Sequence, residues 1–414
     1  MTELPLAGIR VADLSRVVAG PYGGYVLARM GAEVVRVEDY DPVDSTRDFG
    51  PFSDESRDPN RAGYFASLNG GKKSVSVHFS DPAQTAIARK VILSCDAMIE
   101  NFPAGGMERF GLDHGTLSQT NPSFVTVSIS GFGRSSAMRS YRAYMNTVAA
   151  FAGLTSTTGY SDGPPKPVGA TFSDFATGMA VALATAAAVA NARRTGKGQH
   201  VDVSMAETTL SMMGEPLMDY FVRGRVAHRK GNAITGHAPA GVYPCAGEDK
   251  WLAISVSSER QWLDLVAFMD SPAWAELPEF ATPGARLANA TALDARLGSW
   301  TKQFESVDLA VRLQAAGVPA MPSSDPEDLV ANPHFAARGT IATQDFPREP
   351  GRRMPNFPWR SRRHPNVSHS IPPPPAVGEH TAEILQPLGV PESVIQQLVA
   401  AAAAVGRPTS GGAN

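Results

Sequence analysis

The opening of the chain decides the fold, because GIRVADL at 8–14, GPYGG at 20–24 and EVVRVE at 33–38 follow one another there. The first and third segments have the apolar pattern of strands, the glycine-rich segment predicts a break, and residues 25–30 predict a helix. Strands separated by helix-length segments are typical of a parallel α/β sheet, whose ligands bind beyond the carboxyl ends of the strands. Two later segments continue the pattern, at 97–101 and 124–129. We therefore predict an α/β fold with a Rossmann-like large domain.

The length of 414 residues is too great for one compact core, so at least two lobes are expected. A second lobe begins near Gly231, where 251–256 predicts a strand and 259–269 and 309–316 predict helices. The division predicted is 1–225 for the first part of the large domain, 226–330 for a smaller α+β domain, and 331–414 for a linker that returns to the large domain. The last part is expected to consist of an extended proline-rich segment at 346–375, helix at 378–404 and a disordered tail at 409–414.

Composition narrows the class of protein. The chain is 43% hydrophobic and 19% charged with a net charge of −3, which gives no sign of a nucleic-acid partner. The longest nearly apolar tract, 179–190, is shorter than the roughly 20 residues of a membrane span, and the N-terminus lacks the pattern of a secretory signal. The only two cysteines, Cys95 and Cys245, exclude a disulfide scaffold and favour a cytoplasmic location.

The most informative tract is GATFSDFATGM at 169–179, which leads into an alanine-rich helix that extends to about Arg194. Its position favours Asp174 as an N-cap, because Asp accepts hydrogen bonds from the amides of a first turn. The same amides and the helix dipole would keep the carboxylate ionised, as a nucleophile requires. Position alone leaves both interpretations open.

A second tract, TGKGQHVDVSMAET at 195–208, predicts a helix end with a glycine stop and then a strand that returns to the sheet. Together the two tracts resemble the class III coenzyme A transferases, the family of formyl-CoA transferase and carnitine CoA-transferase that also includes the α-methylacyl-CoA racemases. Further matching segments cover nearly the whole chain to about residue 400: 6–14, 19–21, 31–38, 69–74, 100–103, 231–232, 317–319, 332–334 and 378–381.

The resemblance implies a large domain built from both ends of the chain, a smaller inserted domain, and two subunits threaded through each other as an interlocked dimer. The partner would be a second copy or a homologous subunit. The resemblance also implies that Asp174 is the nucleophile, which attacks an acyl-CoA donor and passes through an anhydride and an aspartyl-CoA thioester to a carboxylic acid acceptor. CoA thioesters would be substrates, succinyl-CoA a common donor, with no permanently bound cofactor or metal.

The resemblance places contacts to CoA at six positions, Val17, Val18, Asn101, Phe102, Arg109 and Arg142. Asp39 stands where formyl-CoA transferase has an arginine that meets the nucleotide phosphates. Anionic phosphates need compensating cations, so Lys72, Lys73 or Arg47 is expected to supply the charge, although solvated surface is the ordinary role of each.

The expected substrate pocket comprises Tyr144, Met145, Phe175, Gly236 and Gly241. The glycine-rich tract 231–241 either closes over the reacting carbonyl or turns the chain between lobes. With Val18, the apolar Met145 and Phe175 favour an aromatic, alicyclic or branched acceptor acid. One alternative is a 2-methylacyl-CoA racemase, which Tyr144 disfavours because it replaces the family's proton-shuttling histidine. The other is a non-catalytic subunit of a hetero-oligomer, against which the retention of Asp174 argues.

Overall fold

The computed structural model describes residues 4–169, 171–344, 346, 348–363 and 371–405. The tail predicted at 409–414 and part of the proline-rich segment lie outside the described residues. The chain forms two compact units, of which the first comprises Met1–Thr155, Pro167–Arg225 and His334–Asn414 and the second Ser156–Lys166 and Val226–Pro333. The second unit thus includes a short segment that the sequence assigned to the large domain.

The strands, in chain order, are β1 Arg10–Asp13, β2 Glu33–Asp39, β3 Lys73–Val77, β4 Ala97–Glu100, β5 Val125–Ser130, β6 Gln199–Ser204, β7 Ala240–Pro244, β8 Trp251–Ser255, β9 Ala320–Pro322, β10 Ile341–Thr343 and β11 Arg353–Pro355. The α-helices are α1 Ala19–Arg29, α2 Gly63–Asn69, α3 Pro82–Leu93, α4 Gly106–Phe110, α5 His114–Thr120, α6 Met145–Phe151, α7 Leu154–Thr157, α8 Phe172–Thr195, α9 Met205–Ser211, α10 Gly214–Arg223, α11 Glu259–Phe268, α12 Pro283–Ala288, α13 Ala290–Thr301, α14 Ser306–Ala315, α15 Pro326–Ala331, α16 Pro333–Arg338, α17 Thr381–Leu385 and α18 Glu392–Ala404.

The first unit contains a six-stranded sheet in the order β3-β2-β1-β4-β5-β6, and every pair in it is parallel. Successive side chains along each strand point to opposite faces of the sheet and belong to two different cores. Val11 packs with α1 and α8 on one face, and Ala12 packs with α3, α17 and α18 on the other. Strands covered on both faces need apolar residues at every position, which explains the valine-rich runs. The predicted α/β fold with a parallel sheet is confirmed.

The glycine-rich tract 20–24 is part of a helix, so the predicted break there is wrong. Helix α1 begins at Ala19. Pro21 is tolerated in its first turn because amides there have no partner within the helix, so the missing N–H of proline costs no hydrogen bond. The glycines allow close packing: a Cβ at Gly23 would lie 2.8 Å from Val181 Cγ1, and one at Gly178 would lie 2.8 Å from the Ala19 carbonyl oxygen. Helices α1 and α8 therefore cross in close contact.

Helix α8, with 24 residues, is long and apolar enough by composition to cross a membrane. Its packing identifies a core helix instead, because Val181, Ala188 and Val189 are buried against α1 and the sheet. The predicted glycine stop is confirmed by Gly196, which has a φ of 70° at the helix end, and β6 follows as expected.

The chain end closes the second core of the sheet. The His380 amide donates to the Ser74 carbonyl oxygen at 2.9 Å, and Lys73 Nζ lies 2.7 Å from Glu383 Oε1. Residues of α18, including Ile395 and Leu398, pack with those of β3. The helix predicted at 378–404 consists of α17 and α18, separated by a 3-10 turn at Gln386–Leu388.

The second unit has its own core around a three-stranded antiparallel sheet, β7-β8-β9, with α11 to α15. Trp262, Leu297 and Leu309 are buried there. The predicted strand at 251–256 and the helices at 259–269 and 309–316 are confirmed within a few residues at their ends.

Candidate active site

A buried network of charges supports the loop between β1 and α1. Lys72 Nζ donates to Asp13 Oδ2 at 2.7 Å, to the Pro21 carbonyl oxygen at 2.7 Å and to Asn69 Oδ1 at 2.8 Å. Burial alone would raise the pKa of Asp13, but Lys72 and then Arg36 lower it. Burial lowers the pKa of Lys72 to about 8, against the opposing effect of Asp13. The ammonium group thus has protein partners in the interior.

The neighbouring half of the network joins two arginines to two carboxylates. Glu38 lies between Arg36 and Arg47, at 3.1 Å and 2.7 Å, and Arg36 Nη2 also meets Asp44 Oδ2 at 2.6 Å. Burial would raise the pKa of Glu38, but Arg47 and Arg36 outweigh it and lower the pKa to about 2. The expectation that Lys72 or Arg47 meets the CoA phosphates is wrong, since both are buried and paired. Lys73 is partly exposed and paired with Glu383.

The loop after β1 is fixed in an unusual conformation. Val17 has a φ of 69°, a left-handed value that is costly for a β-branched residue, and its amide donates to Asp44 Oδ2 at 3.2 Å. Asn101 holds the loop from the other side, because its Oδ1 accepts from the Arg16 amide at 2.8 Å and its Nδ2 donates to the Arg16 carbonyl oxygen at 2.7 Å. Val18 is buried next to the start of α1. Two of the predicted CoA contacts, Val17 and Val18, thus lie in this loop, and a third, Asn101, holds it in place.

A cleft lies at the carboxyl ends of β1 to β4, as expected for a parallel sheet. It has a volume of about 100 Å³. The cleft is lined by Leu14, Arg16, Arg36, Val37, Glu38, Asp39, Asp44, Phe79, Ser80, Phe102 and Phe110. The predicted contact Phe102 lies edge-on to Phe79 and to Phe110, with ring centroids 5.9 Å and 6.0 Å apart. Arg109 is exposed, and its guanidinium lies over the Phe110 ring at 5.2 Å.

Asp174 lies in the first turn of α8, two residues after the helix begins. The N-cap is Thr171, whose φ is 65° and whose side chain makes no capping bond, so the interpretation of Asp174 as the cap is wrong. Burial raises the pKa of Asp174 to about 6, and the hydrogen bond from its own amide offsets this only in part. The carboxylate is therefore more basic than an ordinary aspartate but still mostly ionised at neutral pH. Asp174 is a half-buried carboxylate, and no cation among the described residues lowers its pKa.

Met145, Tyr64 and Tyr22 contact the first turn of α8 next to Asp174. The Thr171 amide points at Met145 Sδ, and Tyr64 forms a side-chain hydrogen bond with Thr171. Phe175 packs edge-on against Tyr22, with ring centroids 4.6 Å apart. The structure thus brings two predicted pocket residues, Met145 and Phe175, to the first turn of α8. Tyr64 is a neighbour that the sequence did not reveal, since a single tyrosine at the start of a short helix gives no signal.

The remaining predicted residues lie elsewhere. Tyr144 precedes α6 and is 76% exposed, and Arg142 is exposed two residues before it. Gly236 and Gly241 belong to the second unit. Gly236 has a φ of 81° in a turn, whereas Gly241 lies within β7, so the prediction of one flexible tract over 231–241 is wrong at its end. Their contribution to a substrate pocket stays a prediction.

These two regions define a class of protein. A cleft with aromatic walls beyond parallel strands is suited to a nucleotide, and a carboxylate whose pKa burial has raised is a candidate nucleophile. Both features are typical of an enzyme that transfers a group carried by a nucleotide cofactor.

Comparison with known proteins identifies the family. The profile of CoA-transferase family III matches residues 6–381. A succinate–glutarate CoA-transferase from Agrobacterium fabrum is 33% identical over 391 residues, which cover 93% of this chain and 96% of that protein. A succinyl-CoA–D-citramalate CoA-transferase from Chloroflexus aurantiacus is 30% identical over 397 residues, 96% of this chain and 97% of that protein. The crystal structure of a CaiB/BaiF family protein from Brucella suis superimposes with a TM-score of 0.85 at 31% identity, covering 94% of this chain and 100% of the other.

The chain belongs to CoA-transferase family III and is an enzyme of acyl-CoA metabolism. The resemblance noted in the sequence is confirmed. CoA thioesters and carboxylic acids are the substrates consistent with this family.

Proposed function

We propose that the protein transfers CoA from succinyl-CoA to a carboxylic acid and that Asp174 is the nucleophile. Its carboxylate attacks the thioester carbonyl, so that a mixed anhydride forms and CoA leaves as the thiolate. The thiolate then attacks the aspartyl carbonyl, which gives an aspartyl-CoA thioester and releases succinate. The acceptor carboxylate attacks this thioester, which releases the CoA thiolate and gives a second anhydride between Asp174 and the acceptor. The thiolate then attacks the acceptor's carbonyl in this anhydride, which gives the product acyl-CoA and frees Asp174.

The observation that carries the proposal is the environment of Asp174. A carboxylate with a pKa of about 6 is more basic than a normal aspartate and still mostly ionised at neutral pH. Partial burial also removes part of the hydration shell that would weaken its attack. The carboxylate begins a helix that close contact with α1 holds in place, which favours a defined line of attack.

The donor and the acceptor are proposed on separate grounds. The two relatives above are named for succinate or succinyl-CoA, which supports succinyl-CoA as donor. Val18, Met145 and Phe175 favour an acceptor with an aromatic, alicyclic or branched body. The relatives' names contain glutarate and citramalate, so an acceptor panel should include these diacids beside benzoate, cyclohexanecarboxylate and isobutyrate. A preference for the diacids would contradict the apolar pocket while leaving CoA transfer intact.

For assembly we propose an interlocked dimer of identical chains, with a homologous partner subunit as the alternative, in the cytoplasm. Helix α10 supports a partner, because Met218, Tyr220, Phe221 and Val222 are all more than half exposed along it. An apolar surface of this kind usually marks an interface. The mass of the purified protein in solution, measured by light scattering, tests this point, and a monomer at micromolar concentration would contradict it.

The proposed chemistry is tested by mass spectrometry. The protein is incubated with succinyl-CoA, quenched in acid and digested, and the peptide that contains Asp174 is examined. We expect a covalent CoA adduct on that peptide, and hydroxylamine should remove it. The same peptide from Asp174→Ala is the control. If no acyl-CoA leaves an adduct, the nucleophilic role is wrong and a structural subunit becomes the better description.

A further inference from the structure

The side of the cleft formed by β2 ends in a carboxylate. Asp39 is the last residue of β2 and lines the cleft together with Phe79, Ser80 and Phe102 from the ends of β3 and β4. Its side chain is 16% exposed. A ligand in the cleft would therefore meet a carboxylate at the end of the second strand.

No cation among the described lining residues pairs with Asp39, and its partner His78 does not line the cleft. Among the described lining residues the cations are Arg16 and Arg36, and the carboxylates are Glu38, Asp39 and Asp44. Arg36 is buried between Glu38 and Asp44. Arg16 Nη2 donates to the carbonyl oxygens of Val43 at 2.6 Å and Pro42 at 3.2 Å. The lining thus carries more carboxylates than guanidiniums, and a phosphate beside Asp39 would be repelled.

One oxygen of Asp39 has room for a further hydrogen bond. Asp39 Oδ1 accepts from the Asp41 amide at 3.0 Å and lies 3.0 Å from His78 Nδ1. Asp39 Oδ2 accepts from the Phe79 amide at 3.4 Å, which is a weak bond. In parallel α/β nucleotide sites, a carboxylate at this strand end accepts hydrogen bonds from ribose hydroxyls, whereas an arginine nearby accommodates a phosphorylated ribose.

We infer that Asp39 accepts a hydrogen bond from the 2′-hydroxyl of the CoA ribose and that this cleft does not hold the 3′-phosphate. The enzyme then binds thioesters of dephospho-CoA, which lack that phosphate, as well as those of CoA. This inference rests on the proposed use of CoA thioesters. It assigns to this chain a relaxed specificity at the nucleotide end of its substrate.

Binding of CoA and of dephospho-CoA to the full-length protein, measured by calorimetry at low ionic strength, tests the inference. We expect the Kd of dephospho-CoA to be lower than that of CoA, because Asp39 repels the 3′-phosphate, or at most about threefold higher. A Kd for CoA more than about threefold lower than that for dephospho-CoA would overturn the inference and leave the proposed function standing. Failure of both ligands to bind would instead overturn the proposed function as well.

Two variants sharpen the result. Asp39→Arg should tighten CoA relative to dephospho-CoA by about tenfold or more, because it places a guanidinium where the phosphate would come. Asp41→Asn also removes a negative charge, two residues along the chain and at a side chain that does not line the cleft. The ratio of the two Kd values should therefore stay unchanged in this variant. Equal ratios in wild type, Asp39→Arg and Asp41→Asn would show that Asp39 does not face the ribose.

Discussion

Two kinds of buried carboxylate occur in the first unit, and they differ in their partners. Asp13 and Glu38 are almost fully buried beside Lys72, Arg36 and Arg47, and these cations hold the pKa of both carboxyls below the usual range. Asp174 is less buried, and no cation contributes to its pKa, which burial raises to about 6. A paired carboxylate supports the structure, whereas a carboxylate left without a cation at a helix start has free electron pairs for chemistry. The comparison predicts that substitutions at the paired carboxylates or their cations will lower stability, whereas substitution of Asp174 will lower activity.

The largest effect is expected on activity from Asp174→Ala. Loss of the nucleophile should lower kcat by at least about 10³-fold, because every intermediate of the proposed transfer forms on this carboxylate. The melting temperature should not fall. Asp162→Ala, which changes an exposed aspartate, is the control for both measurements. Near wild-type transfer by Asp174→Ala would require another nucleophile.

The reverse result is expected from Lys72→Met. Removal of the ammonium leaves Asp13 buried without its closest cation, which should lower the free energy of unfolding by roughly 3–5 kcal/mol. Lys73→Met is the matched control, since this partly exposed lysine should contribute at most about 1 kcal/mol. Chemical denaturation measures both values. Equal losses in the two variants would mean that the buried pair does not differ from a surface pair.

Asp174→Asn should stabilise the protein at alkaline pH. The folded pKa of about 6 lies above the ordinary 3.8, so ionisation opposes folding as pH rises through this interval. This loss of stability is absent below pH ~4 and complete above pH ~7, where the substitution should raise the free energy of unfolding by roughly 1–3 kcal/mol. Denaturation at pH 4.5 and pH 8 tests this, with intact mass checked for deamidation. A gain that is equal at both pH values would contradict the assigned pKa.

The same group should control the pH dependence of the rate. Attack requires the carboxylate, so kcat/KM should fall about tenfold per pH unit below the pKa of about 6 and be nearly constant from pH 7 to 8. Initial rates with succinyl-CoA over this range give the profile. An activity that stays constant down to pH 4.5 would show that Asp174 ionises like an exposed aspartate.

The smallest effect is expected at the rim of the cleft. Arg109→Ala removes an exposed cation over Phe110 and should weaken CoA binding by roughly 1 kcal/mol, less at high salt. Arg296→Ala, which changes an exposed arginine of the second unit, is the control. Unchanged affinity at low ionic strength would remove Arg109 from the binding site.

The sequence predicted the parallel sheet, the long helix α8 and the family, because each depends on a local pattern of apolar residues or on a motif. The sequence did not predict the features that depend on contacts between residues far apart in the chain. The glycines of α1 indicated a break, yet they are required by contact with Val181 and with the side chains of Ser15 and Asp13. Arg36 and Glu38 alternate with valines along β2, which could have indicated internal ion pairs. No local signal reveals how far burial raises the pKa of Asp174, since that depends on the groups packed around it.

The closure of the sheet by α17 and α18 has a consequence for biosynthesis. Val75 and Val77 belong to the same core as Leu385 and Leu398, so α3 covers this side of the sheet only in part until α17 and α18 have been made. At about 5–20 residues per second, the ribosome leaves it open for roughly 15–60 seconds. During that time the second unit, encoded in between, can already complete its own core. Nascent chains of this enzyme thus expose part of a valine-rich sheet face, and a chaperone that binds such surfaces would act on them before α17 and α18 are made.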